Sequence, residues 1–262
     1  MWRIGTAGWS IPRAWQNAFS YPVEADASSP DRAAASHLER YARRFSAVEI
    51  NSSLYRHHRR ATYARWAAAV PSDFRFAVKL PRTITHDQSL VGFDAPLDVF
   101  LEEVTGLGDR LGPLLVQLPP SLVFHHDAAS EFFAGVRAAF DGAVVCEPRH
   151  TTWFNDDADA LVTRYRVARV LADPACVSRA LVAGGSSALV YARLHGSPDM
   201  YRSTYSRAFL ETIAQTLIAT QSNERPAETW CIFDNTTLGA ATGNALDLQS
   251  IIGPEADQSN AP

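Results

Sequence analysis

Phe74-Arg75-Phe76-Ala77-Val78-Lys79 is a short apolar run closed by a charge. Side chains alternate along an extended strand, so Phe74, Phe76 and Val78 share one face while Ala77 and Lys79 share the other. Large aromatics on one side and a small residue on the other suit a strand covered on both faces, with the small face turned to a tight interior. Similar runs recur along the chain, and strands are expected at residues 3–6, 47–51, 74–79, 114–118, 143–147, 168–173, 189–195 and 229–234. Between them, apolar residues follow helical spacing: Leu38, Tyr41, Ala42 and Phe45; Leu97, Phe100, Leu101 and Val104; Phe209, Ile213 and Leu217. Eight such strands alternating with helices predict an α/β fold of the (β/α)8 TIM-barrel-like type, a parallel eight-stranded barrel. The alternative is an open doubly wound α/β sheet. Against it, Gly5-Thr6-Ala7-Gly8-Trp9-Ser10 after the first strand has the spacing of neither a dinucleotide nor a P-loop phosphate site.

One domain is expected over residues 1–252, followed by a polar, disordered tail at 253–262. Two long connections, 11–30 with Pro12, Pro22 and Pro30, and 196–206, are expected over the strand ends. The chain is 47% hydrophobic and 20% charged, which excludes disordered and fibrous classes. A net charge of −4 leaves no overall basic field for nucleic acid or anionic membrane. Cys146, Cys176 and Cys231 form no CxxC pair and no disulfide framework, and a reducing cytoplasm fits them. No apolar run reaches the roughly 20 residues of a membrane span, and Met1-Trp2-Arg3-Ile4-Gly5 reads as a strand and not as a signal peptide.

What ends the strands points to function. In order they close on Thr6, Glu49 with Asn51, Lys79, Gln117, Glu147, Asp173, Arg193 with His195, and Asp234 with Asn235. In a barrel these positions meet at the C-terminal mouth, where active sites of that fold sit. Lys79 stands out further as the single lysine beside 23 arginines.

The residues also resemble a known family. Gly5-Thr6-Ala7-Gly8-Trp9, Val48-Glu49-Ile50-Asn51-Ser52-Ser53-Leu54-Tyr55, the Phe74–Lys79 run, Leu115-Val116-Gln117-Leu118-Pro119-Pro120, Glu147-Pro148-Arg149-His150 with Trp153, Arg193-Leu194-His195-Gly196 and Phe233-Asp234-Asn235 are similar to the DUF72 (YecE-like) family. The resemblance runs from Arg3 to about Leu248 and implies a barrel related to the TIM fold, with no established reaction. The chain departs from the pattern at Ala7, where serine is more usual, and in the basic run Arg56-His57-His58-Arg59-Arg60.

The expected activity is acid/base chemistry on an anionic or polyhydroxylated small substrate, with hydrolase or isomerase as the fitting reaction classes. Lys79, Glu49, Glu147, Asp173, His195 and Asp234 are the candidate catalytic residues. Asn51, Gln117, Arg149, His150, Trp153, Arg193, Tyr201, Arg202, Tyr205 and Asn235 are the candidate substrate-binding residues: guanidinium forks, amides, and the hydroxyls and phenols of the 201–205 loop. Lys79 reads either as a nucleophile or proton carrier, or as the ion-pair partner of Glu49 or Glu147. No cofactor is expected. A divalent-metal isomerase or hydrolase using Glu147, Asp173, His195 and Asp234 is an alternative, opposed by the nearby Arg149 and Arg193. Glu49 with Glu147 makes a candidate glycosidase pair, although the fourth strand ends in Gln117 and not an acid. A third reading is a non-enzymatic nucleic-acid or anion-binding module, using the 56–60 basic run with Tyr55, Tyr63 and Trp66. Against that reading, Tyr63 and Trp66 are spaced to pack on a core.

Overall fold

The chain alternates strands and helices: β1 (Trp2–Thr6), α1 (His37–Tyr41), β2 (Ala47–Ile50), α2 (Arg60–Ala68), β3 (Arg75–Lys79), α3 (Asp94–Val104), β4 (Leu111–Gln117), α4 (His126–Ala139), β5 (Val144–Glu147) and α5 (Asp156–Arg164). Then follow β6 (Val167–Arg169), β7 (Leu171–Asp173), β8 (Gly184–Gly185), β9 (Leu189–Leu194), α6 (Arg207–Glu224), β10 (Glu228–Phe233) and α7 (Ala240–Ile252). The structure is a computed structural model and describes residues 1–20, 36–224, 226 and 228–253. The expected disordered tail, Gly253 apart, and residues 21–30 of the first long connection lie outside the described residues. Residues 13–19 of that connection form a 3₁₀ helix.

This is an α/β fold with two sheets, ordered β1-β10-β9-β7 and β2-β3-β4-β5-β6-β8. Every strand pair is parallel except β6 with β8. The sheets touch at both margins. At one, Ala7 bridges Glu49 in parallel and the Gly8 N–H donates to the Glu49 carbonyl at 2.8 Å. At the other, Val170 N–H donates to the Cys146 carbonyl at 2.8 Å, one residue before β7 pairs with β9. The strand expected at 168–173 is therefore two strands of three residues, which change sheets at Val170. The small antiparallel β8 went unforeseen, because Gly184-Gly185 carries no apolar pattern to read.

Strand parity divides the core. Phe74, Phe76 and Val78 belong to the large apolar layer between strands and helices. Ala47, Ala77, Leu115, Val145, Ala172, Tyr191 and Ile232 form a second apolar cluster on the opposite strand faces. Gly5 lies where β1 meets β2, and a Cβ there would come within 2.0 Å of the Ala47 carbonyl oxygen, so only glycine permits this approach. At the N-terminal ends of the strands Arg3 pairs with Glu228 at 2.8 Å, and Trp230 donates to the same carboxylate at 2.9 Å. Among the described residues no helix is long and apolar enough to cross a membrane.

Candidate functional site

Two residues beyond six members of the second apolar cluster, on the same strand face, stands a polar side chain: Glu49 after Ala47, Lys79 after Ala77, Gln117 after Leu115, Glu147 after Val145, Arg193 after Tyr191 and Asp234 after Ile232. The alternation that buries these apolar residues therefore gathers the polar groups over them. Arg193 is the hub and is fully buried. Its guanidinium donates to Glu49 through Nε at 3.0 Å and Nη2 at 2.7 Å, to Asp234 through Nη2 at 2.9 Å, and to Glu147 through Nη1 at 2.5 Å. His195 lies between two of the same carboxylates, with Nε2 2.9 Å from Glu147 and Nδ1 3.1 Å from Asp234. Gln117 donates to both oxygens of Glu147 at 3.1 Å, and the Tyr191 hydroxyl donates to Glu49 at 2.9 Å. Asn51 reaches Asp234 through its amide nitrogen at 3.4 Å.

The electrostatics follow from this crowding. Burial alone would raise the Glu147 pKa, but Arg193, His195 and Arg149 outweigh it and hold the carboxyl well below its ordinary range. Asp234 is lowered in the same way, against burial, chiefly by Arg193 and His195. Burial opposes the His195 imidazolium, yet Glu147 and the hydrogen bonds to both carboxylates raise its pKa. Lys79 differs from the rest. It is 6% exposed, and its ammonium makes no hydrogen bond or contact ion pair with any described residue. Burial, then the Arg193 charge, push its pKa down to about 8, against the pull of Glu49, Glu147 and Asp234. The direct ion pair to Glu49 or Glu147 foreseen as one role for Lys79 does not form. Arg149 is half-buried at the rim, with Nη1 3.6 Å from Glu147 and Nη2 3.4 Å from the Met200 sulfur.

Several expected site residues lie elsewhere, and parity explains most of them. Asp173 shares its face with Leu171, which belongs to the helix-facing layer, so its carboxylate accepts from the Tyr205 hydroxyl at 2.7 Å and does not join the cluster. Tyr205 is spent there, since its oxygen also accepts from the Gly196 N–H at 2.7 Å. Asn235 follows Phe233 onto the outer face and donates to the Ser203 carbonyl and to Asn244 of α7. Trp153 is buried against Phe124 and donates to the Leu122 carbonyl at 2.9 Å, which leaves no stacking face. His150 caps a 3₁₀ turn by accepting from Thr152 N–H. Arg202 is exposed in its loop. Tyr201 does approach the cluster: it stands edge-on to His195, with centroids 5.7 Å apart, on a backbone at φ 67°. In the basic run, His57 lies 3.2 Å from Glu103, and Tyr63 is fully buried and unavailable to a nucleic-acid base.

Among the described residues no group of three or more His, Cys, Asp or Glu is disposed to hold a metal ion. Asp173 points away, and Glu147, His195 and Asp234 are committed to one another and to the Arg193 guanidinium among them. This donor set does not fit a divalent cation.

Two features were missed. Tyr191 shares parity with Arg193 and His195, a signal present in the sequence. His86 lies on a π-helical turn (Thr83–Asp87) directly after β3, and burial followed by the Lys79 charge lowers its pKa. A cavity of about 440 Å³ opens beside the ends of β1 and β2, with Gly8, Trp9, Ile50, Asn51 and Ser52 in its wall.

Parallel strands alternating with helices, with a buried ionic cluster at their C-terminal ends, define a class of α/β protein. Within that class the chain belongs to the DUF72 family, "Protein of unknown function DUF72", whose model matches residues 3–262. It is 39% identical over 82 residues to UPF0759 protein YecE of Escherichia coli K12, a match spanning 31% of this chain and 30% of that protein. The fold is similar to a DUF72 family protein of Enterococcus faecalis V583 (TM-score 0.77, 20% identity, 96% of this chain and 95% of that one). It is also similar to one of Thermotoga maritima MSB8 (TM-score 0.75, 23% identity, 96% and 99%).

Proposed function

We propose that the chain is an enzyme that binds a small anionic substrate at the strand-end cluster and moves a proton through Lys79. In this reading the two sheets are arcs of one (β/α)8 barrel in a single domain. The contacts at both sheet margins and the separate apolar cluster on the inner strand faces support that arrangement. The carrying observation is Lys79, a buried lysine free of direct partners among the described residues, beside carboxylates already satisfied by Arg193. A cation with unspent donors in a partly dry site attracts an anion, and Arg149, loosely held at the rim, supplies a guanidinium fork for carboxylate or phosphate. With a pKa near 8, Lys79 exists in both protonation states at physiological pH, which suits a proton donor and acceptor. Glu49, Glu147, Asp234, His195, Gln117 and Tyr191 act through Arg193 as positioning residues. Isomerase or hydrolase chemistry uses such a carrier, and three free cysteines suit a reducing compartment.

The test measures inorganic phosphate binding by calorimetry in the parent chain and in Lys79→Met and Arg149→Ala, each shown folded by its thermal transition. Affinity is expected to fall about tenfold in either variant, or about 1.4 kcal/mol. Binding should also weaken above pH 8 in the parent and in Arg149→Ala, which keep Lys79, but not in Lys79→Met. Equal affinity in all three proteins overturns the reading.

A further inference from the structure

The cavity beside β1 and β2 is not part of the charged cluster, yet one residue belongs to both. Asn51 lines the cavity and donates from its amide nitrogen to Asp234. Because a carboxylate can only accept, this contact fixes the amide orientation and leaves the Asn51 oxygen as the free end. That oxygen is buried and has no hydrogen-bond partner among the described residues. A buried acceptor left without a donor is costly, so the position favours a ligand that brings one.

Ser52, next along the wall, is held in place. Its hydroxyl lies 2.8 Å from Nε2 of His58, a buried ring packed edge-on against Trp66 and Tyr63. Burial, with Arg56 and His57 nearby, lowers the His58 pKa and favours the neutral imidazole. Whichever ring nitrogen carries the proton, the Ser52 oxygen keeps at least one lone pair free. The remaining wall mixes the polar Ser10 and His37 with two apolar faces, Ile50 and the Trp9 indole, which is fixed by edge contacts to Trp66 at 5.0 Å and Phe76 at 6.4 Å. Polar groups set beside an indole and an aliphatic face suit a body that has both C–H faces and O–H groups.

We propose that this cavity is a second compartment of the site, and that it receives the hydroxylated carbon body of an organic anion whose charged group lies at Lys79 and Arg149. The proposal rests on the anion-binding reading of the cluster and narrows its substrate class to hydroxylated phosphates or carboxylates of sugar-like size. Asn51 ties the compartments together, since a ligand hydroxyl on its oxygen fixes the amide that contacts Asp234.

Calorimetry on the full chain with inorganic phosphate, ribose 5-phosphate, glucose 6-phosphate and free glucose tests it. At least one sugar phosphate should bind about tenfold tighter than phosphate, as two added hydrogen bonds would give. Asn51→Ala, or Ser52→Ala should the first fail to fold, should bring that ratio close to one. Phosphate binding with no preference for either sugar phosphate overturns the second compartment and leaves the anion site standing. Asn51-dependent binding of glucose, without phosphate binding, supports the compartment and overturns the anion reading. No preference lost in the folded variants, or no binding of any probe, overturns the proposal.

Discussion

Arg193 and Glu49 form a fully buried bidentate pair, Nη2 to Oε1 at 2.7 Å and Nε to Oε2 at 3.0 Å. The same guanidinium neutralises Glu147 and Asp234, so three carboxylates depend on one cation, with the His195 ring between two of them. Breaking a buried ion pair by deleting one partner typically costs about 3–5 kcal/mol, because the other charges remain desolvated. Arg193→Ala should therefore lower stability by at least that much. Arg193→Lys should rescue it only in part, since an ammonium cannot reproduce the planar fork. Urea unfolding of both variants is the check; an Arg193→Ala loss below about 1 kcal/mol would contradict the role of the hub.

Lys79 should behave in the opposite way. Its folded pKa of about 8 lies below the 10.5 of the free side chain, so its charge opposes folding by about 3 kcal/mol at neutral pH. Lys79→Met should be as stable as the parent or more so at pH 7. Between pH 8 and 10.5 the unfolded chain keeps the proton that the folded chain has released, so parent stability rises with pH and the advantage of the variant shrinks. Guanidinium unfolding of the two proteins at pH 7 and pH 10 tests this; a variant less stable at pH 7 would show that Lys79 is held by contacts and not merely tolerated.

Much of this was legible because strand parity is a strict period of two. The Ala77 and Lys79 alternation, applied to Glu49, Glu147, Arg193 and Asp234, places them together as the structure does. The same rule places Asp173 with Leu171 and Asn235 with Phe233 on the outer layer, so treating every strand-end polar group as a member of the site overcounts. What stayed hidden depends on tertiary distance. Val170, where one predicted strand divides between two sheets, sits in an unbroken apolar run, and the Ser52 to His58 contact spans a turn whose path no periodicity encodes.

Asp173 and Tyr205 give a local counterpart to the hub. The phenol donates to the carboxylate at 2.7 Å and accepts from Gly196 N–H at 2.7 Å, which fixes the loop after β9. Tyr205→Phe removes the donor and the acceptor together and should cost about 1–3 kcal/mol. Asp173→Asn should cost less, because an amide oxygen still accepts. A double-mutant cycle read by thermal unfolding should show coupling between the two, while phosphate affinity stays near that of the parent; additive losses would show that the contact contributes nothing of its own.

The sequence holds one lysine, which makes its titration directly observable. Protein grown with ¹⁵N-labelled lysine should give a single side-chain ammonium signal, free of the overlap that an ordinary chain would present. Its midpoint should fall near 8, where burial and Arg193 place it. Glu49→Gln removes an anion that supports the ammonium, so the midpoint should move lower still, and Arg149→Ala should move it little. A midpoint at the free-lysine value of 10.5 would mean that water reaches the ammonium freely, and both the proton-carrier role and the stability argument would fail together.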